Sequence, residues 1–158
     1  MAKISISVSG ALQKMLSECA DIDRIAPIIL QESAPLVVDA LKKRLEPHST
    51  AGKRKTGVTY RHGGKTAVYS YVQTGELRES VKAEKAKREK GGWALRVGFG
   101  GGTGYDSKGV ANDLKANQLE YGNSNQAPTP FLDAARNDCE RAVREKQQEV
   151  FLRETEIK

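Results

Sequence analysis

The segment that most constrains this chain runs from Leu119 to Ala135, Leu-Glu-Tyr-Gly-Asn-Ser-Asn-Gln-Ala-Pro-Thr-Pro-Phe-Leu-Asp-Ala-Ala: an apolar stretch ends at a glycine, crosses a short polar loop and enters a helix. The spacing gives Thr129 the N-cap position, where a hydroxyl accepts free helix amides. It gives Pro130 the first helical position, where the missing N–H has no partner to lose. The helix that follows places Leu132, Ala135, Cys139, Ala142, Val143 and Val150 on one face and Arg136, Glu140, Arg144 and Glu145 on the other. Residues 151–158 can continue it as an extended tail.

Upstream, Ile4, Ile6 and Val8 alternate as in a strand, and Leu12, Met15, Leu16 and Cys19 share one helical face. Asp21 or Asp23 can cap a longer helix reaching about Leu45, with Ile25, Ile28, Ile29, Leu36, Ala40, Leu41 and Leu45 at helical spacing. Pro35 predicts a kink or a restart capped by Ser33, and Pro47 predicts the end. Thr66 to Val72 can form a strand. Thr74 is placed to cap a short helix through Leu77, and Val81, Ala83 and Lys85 alternate as an exposed strand. Gly91-Gly92 closes a hairpin into Trp93, Leu95, Val97 and Phe99, which alternate with Ala94, Arg96 and Gly98 as in a half-buried antiparallel strand. Trp93 belongs to the core or to a subunit interface. Leu114 to Tyr121 forms another short element. The predicted class is α+β, a small antiparallel sheet packed against N-terminal and C-terminal helices with a long basic loop or hairpin insert. Residues 1–158 are expected to form one domain, with 47–72 as a flexible basic insert.

Composition bounds the function. At 158 residues, 38% hydrophobic and 29% charged, the chain suits a single soluble domain with a thin core. No run of about 18 apolar residues is present, so no helical membrane span is expected. The first residues, Met-Ala-Lys-Ile-Ser-Ile-Ser-Val, lack the apolar centre and cleavage site of a secretory signal, and cytosolic synthesis is expected. Cys19 and Cys139 have no Cys or His at metal-ligand spacing and read as reduced, partly buried thiols. Neither a cofactor nor a metal is expected.

The formal charge of +6 permits nucleic-acid contact without requiring it. Its densest source is Pro47 to Gln73, where Lys53, Arg54, Lys55, Arg61 and Lys65 stand with both histidines, several glycines and no acidic residue. That is the composition of a solvated loop, or of an arm facing DNA or an acidic neighbour. Tyr60, Tyr69 and Tyr71 could stack on bases but suit packing against protein better.

Catalytic readings fail on spacing. Gly63-Gly64-Lys65-Thr66 would need a glycine where Thr59 stands to complete a phosphate-binding loop. Gly98 to Gly104 lacks the dinucleotide spacing and opens no helix. His48 and His62 have no adjacent acid to orient them. Glu76 and Glu79, like Glu154 and Glu156, sit in mixed charge as solvated faces do. The chain is not expected to be an enzyme.

Two segments resemble those of the small neck and tail-completion proteins of long-tailed bacteriophages. The first is Gln73-Thr-Gly-Glu-Leu-Arg-Glu-Ser-Val81, in which Thr74, Gly75, Leu77 and Ser80 match. The second is Glu120-Tyr-Gly-Asn123 followed by Pro128-Thr-Pro-Phe-Leu132, in which Glu120, Tyr121, Gly122, Pro130, Phe131 and Leu132 match. Leu95 to Phe99 and Tyr105 lie between them as in that family. The chain departs from the pattern at Asn123, where threonine is commoner, and in the basic insert, which replaces a short connection.

The resemblance implies a virion structural protein at the head-tail junction, made in the host cytoplasm. It implies a homo-oligomeric ring, hexamer preferred and dodecamer next, that completes the tail and joins it to the head around the DNA channel. Its partners would be other neck, connector and tail proteins and duplex DNA, with no membrane. A different reading of the same residues is a small basic nucleic-acid-binding protein using Lys53 to Lys65.

Overall fold

A computed structural model describes residues 2–8, 22–49, 54–62, 65–72, 75–90, 92–100, 109–122 and 127–156. In chain order the elements are β1 (Ile4–Ser7), α1 (Ile22–Ser49), β2 (Arg54–His62), β3 (Lys65–Val72), α2 (Glu76–Glu79), β4 (Lys82–Ala83), β5 (Lys87–Glu89), β6 (Gly92–Gly98), α3 (Asn112–Tyr121) and α4 (Leu132–Glu156). The α+β class holds.

Strand β6 is the centre of the main sheet, with β1 antiparallel on one side and β4 and β5 in succession on the other. Its alternation explains its place. Leu95 and Val97 face the core opposite Ile6 and Ile4 of β1, while Arg96 and Ser5 pair on the outer, exposed face. Trp93 is half-buried against the core, and its indole N–H donates to Asp23 Oδ1 at 3.0 Å. Arg88 Nη1 meets the other oxygen of Asp23 at 2.8 Å. Asp23 lies inside α1 and joins it to the β5–β6 hairpin, so it does not cap the helix. Asp21 and the 12–19 segment, with Cys19, lie outside the described residues.

Helix α1 packs on the sheet with one part of its face and on α4 with another. It buries Ile25, Ile29, Ser33, Val37, Leu41 and Leu45 every fourth residue, with Ala26, Leu30 and Ala34 as a second stripe. The helix does not restart at Pro35, and α1 also continues two residues past Pro47. Each internal proline removes one backbone hydrogen bond, a cost of about 3 kcal/mol in an isolated helix. Burial of the residues flanking Pro35 outweighs it. Ser33 is not a cap either; its hydroxyl is buried and donates to the Leu30 carbonyl at 3.2 Å.

Helix α4 runs antiparallel to α1. Arg24 reaches Glu154 at 3.1 Å, Arg153 reaches Glu32, and Arg44 forks onto Asp138 at 2.6 and 2.7 Å. These pairs are exposed and fix register more than stability. The buried face of α4 holds Leu132, Ala135, Cys139, Val143, Val150 and Phe151, whereas Ala142, expected on that face, is exposed. The segment that the sequence allows as an extended tail is helical as far as Glu156. Gln147 is also buried, and its amide donates to the Ser7 carbonyl at the end of β1, 3.3 Å away.

The basic insert forms a second, two-stranded sheet of its own. Strands β2 and β3 pair antiparallel from Arg54 opposite Val72 to His62 opposite Lys65, with a register shift between Thr56 and Val58 around Gly57. No described helix is long and apolar enough to cross a membrane.

Candidate functional site

Helix α3 ends at Tyr121, and Gly122 takes φ 73° and ψ −179°, a backbone region open essentially to glycine alone. Its N–H closes the helix onto the Gln118 carbonyl at 2.9 Å. The chain then returns, and the Thr129 N–H meets the Leu119 carbonyl at 2.7 Å. Glu120 lies inside this turn, only 8% exposed, and its Oε2 accepts the N–H groups of Phe131 at 2.8 Å and Leu132 at 3.1 Å. Those are amides that a helix start leaves without intrahelical partners, and a carboxylate there also complements the helix dipole.

The cap of α4 therefore comes from α3. The first backbone bond of α4 runs from Ala135 N–H to the Phe131 carbonyl at 2.9 Å, which makes Phe131 the N-cap and sets Thr129 and Pro130 ahead of it. Thr129 is not the cap and Pro130 is not the first helical residue. Capping rules look three residues along the chain; Glu120 stands eleven residues before Phe131 and escapes them.

Phe131 and Leu132 are buried as expected. The Phe131 ring meets Phe99, just beyond β6, edge to face with centroids 5.9 Å apart at 80°. The second motif thus ties α3, the end of β6 and the start of α4 into one joint. On the outside of that joint Tyr121 is 68% exposed and Leu114 is 50% exposed. Seven residues apart, they lie on the same side of α3, with the exposed Val110 just ahead of the helix.

The first motif is a second joint. Gly75, at φ 79°, holds the N-cap position of α2 with no side-chain cap bond, in place of the expected Thr74, which lies outside the described residues. Glu79 N–H returns to the Gly75 carbonyl at 3.1 Å, and the buried Ser80 hydroxyl donates to the Leu77 carbonyl at 2.8 Å. Leu77 packs half-buried on the core, and Glu79 approaches Lys42 of α1 at 3.5 Å.

Of the basic positions, Lys53 lies outside the described residues, Arg54, Lys55 and Arg61 stand on β2, and Lys65 stands on β3. The register divides them. Arg54 and Lys55 are at the open end of the hairpin opposite Val72 and Tyr71, while Arg61 is at the closed end opposite Thr66, beside the His62–Lys65 pair. The two groups are roughly 20 Å apart at about 3.3 Å per strand residue.

Among the described residues no group of His, Cys, Asp and Glu could hold a metal ion. Burial raises the Cys139 thiol above its ordinary value, as in a packed core position. The side chains of the two motifs build joints between elements, and Tyr121 with Leu114 leaves an exposed apolar surface beside one of them.

The model of the HK97-gp10-like family, described as "Bacteriophage HK97-gp10, putative tail-component", matches residues 8–122. The match takes in α1, the hairpin, the first motif and Glu120-Tyr121-Gly122, and ends before Pro128. No curated protein and no solved structure matches the chain. Matched over more than half of its length, the chain belongs to the HK97-gp10-like family of bacteriophage tail components.

Proposed function

We propose that this tail component forms a closed ring at the end of the tail, completes it, and joins it to the DNA-filled head around the channel through which DNA passes. The observation that carries this reading is the exposed stripe of Leu114 and Tyr121 outside the Glu120 joint. Large apolar and aromatic side chains held in water by a rigid turn are what a subunit interface buries. The β2–β3 hairpin supports it further: a two-stranded sheet alone is marginal in water, and cover from a neighbouring subunit or neutralisation by phosphate would stabilise it. A hairpin on one subunit meeting a different surface on the next is a heterologous contact, the kind that makes a ring when the rotation between subunits closes. A hexamer is preferred and a dodecamer is next.

The test is Tyr121→Glu combined with Leu114→Glu. The isolated subunit keeps its fold, because both side chains already face water, while tails no longer join heads and native mass spectrometry of assembled complexes shows no ring. Normal joining and a normal ring would contradict the proposal.

A further inference from the structure

A cleft of about 590 Å³, lined by no residue of either motif, lies across the end of the main sheet, where Lys3 ahead of β1, Gly98 of β6 and Lys82 of β4 are neighbours. Lys3, Lys82, Lys85 and Lys87 line it with Glu84 and Asp113, over a floor of Ala83, Gly98, Phe99 and Gly100. Lys3 and Lys87 approach Glu84 at 3.9 and 3.7 Å, whereas Lys82 and Lys85 make no ion pair among the described residues. Four ammonium groups against two carboxylates leave the cleft cationic.

Edge lysines guard an open strand against stray pairing, which accounts for lysines on β4 and β5. It does not account for a cavity beside them of a size typical of ligand clefts, about 300–1,000 Å³. The cavity opens where pairing with β6 is interrupted: between β4 and β5 the ladder is carried by one bond, Glu84 N–H to the Arg96 carbonyl at 2.8 Å.

We propose that this cleft binds an extended acidic segment of another protein, laid across the end of the sheet with its carboxylates on Lys82 and Lys85 and an uncharged side chain on the Ala83–Gly98 floor. Two features favour a peptide over a nucleic acid. The floor is uncharged and concave, whereas duplex DNA presents a convex row of phosphates. Asp113 Oδ1 is a buried acceptor without a donor, which a peptide N–H can satisfy and a phosphate oxygen cannot. The inference does not depend on ring formation.

The experiment uses the full chain and a fluorescein-labelled peptide, Glu-Val-Glu-Phe-Glu-Val-Glu, with a 20-base-pair duplex as the competing probe. Saturable binding is expected, weakened at least about tenfold in Lys82→Glu/Lys85→Glu, less in Lys82→Gln/Lys85→Gln, and not in Lys43→Glu on the exposed side of α1. Amide resonance shifts should concentrate at Lys82 to Lys87 and Gly98 to Gly100. The absence of saturable binding, an equal loss in Lys43→Glu, an unaffected double glutamate variant, or tighter binding of the duplex through Lys82 and Lys85 would each overturn the proposal. Should the glutamate pair fail to fold, the glutamine pair decides on the same readout.

Discussion

The Glu120 carboxylate accepts the Phe131 N–H at 2.8 Å, and with the Leu132 bond at 3.1 Å it joins two stretches of one motif across a loop. An acidic residue at the end of one helix becomes the cap of the next.

Glu120→Ala should destabilise the protein by about 1–3 kcal/mol, since it removes a cap and leaves two buried amides without acceptors. Glu120→Gln, which keeps one acceptor oxygen, should cost less. Urea unfolding at neutral pH measures both, and a cost for Glu120→Ala below about 0.3 kcal/mol would show that the cap contributes nothing.

Phe131→Ala should cost about 3–5 kcal/mol, because the ring is 3% exposed and stacked edge-on against Phe99. A loss below about 1 kcal/mol would take Phe131 out of the energetic core.

Gly122→Ala should cost about 1–3 kcal/mol through backbone strain alone, as φ 73° with ψ −179° excludes a side chain. The same substitution at Gly100, where an added methyl meets nothing within 4 Å and no left-handed φ is required, should be nearly neutral. Comparable losses at the two positions would contradict the strain argument.

Acid should loosen the α1–α4 pair. Hydrogen bonding by Arg153 holds Glu32 below its ordinary 4.5, and hydrogen bonding by Arg44 holds Asp138 below its ordinary 3.8. A depressed carboxylate contributes its stability in full above the unfolded value and loses it as pH falls through the lower folded one. The melting temperature should therefore fall from about pH 5 to about pH 3, and fall less steeply in Arg44→Met/Arg153→Met. An identical slope in that variant would contradict the assignment.

Local patterns exposed the fold where one face decides the outcome. Leu95, Val97 and Phe99 alternate and are buried, and the four-residue spacing from Ile25 to Leu45 made α1 legible. The sequence misleads where a distant partner overrides a local rule. Ser33 before Pro35 reads as the cap of a restarted helix until α4 and the sheet cover the turns beside it, and Thr129 reads as a cap until Glu120 arrives from α3. No local pattern marks Gln147, which is buried with its amide on the carbonyl of Ser7, a residue 140 positions away. The motif residues were legible as a set; their division into a buried carboxylate and an exposed tyrosine, neighbours in the chain, depends on the end of α3.

The charged arm should matter only in the assembled particle. Replacing Lys53, Arg54 and Lys55 by neutral residues should leave folding unchanged yet impair head-to-tail joining or DNA retention, because like charges repel unless an anionic partner such as phosphate neutralises them. Infectious yield and micrographs counting unjoined heads and tails measure this. Normal joining and retention would return the segment to a solvated hairpin.

Imaging the native head-tail junction by cryo-electron microscopy tests the central claim most directly. The account predicts a closed ring of this chain, six copies preferred and twelve next, with Leu114 and Tyr121 buried between subunits. A single copy per particle, or a junction from which the chain is absent, would contradict it.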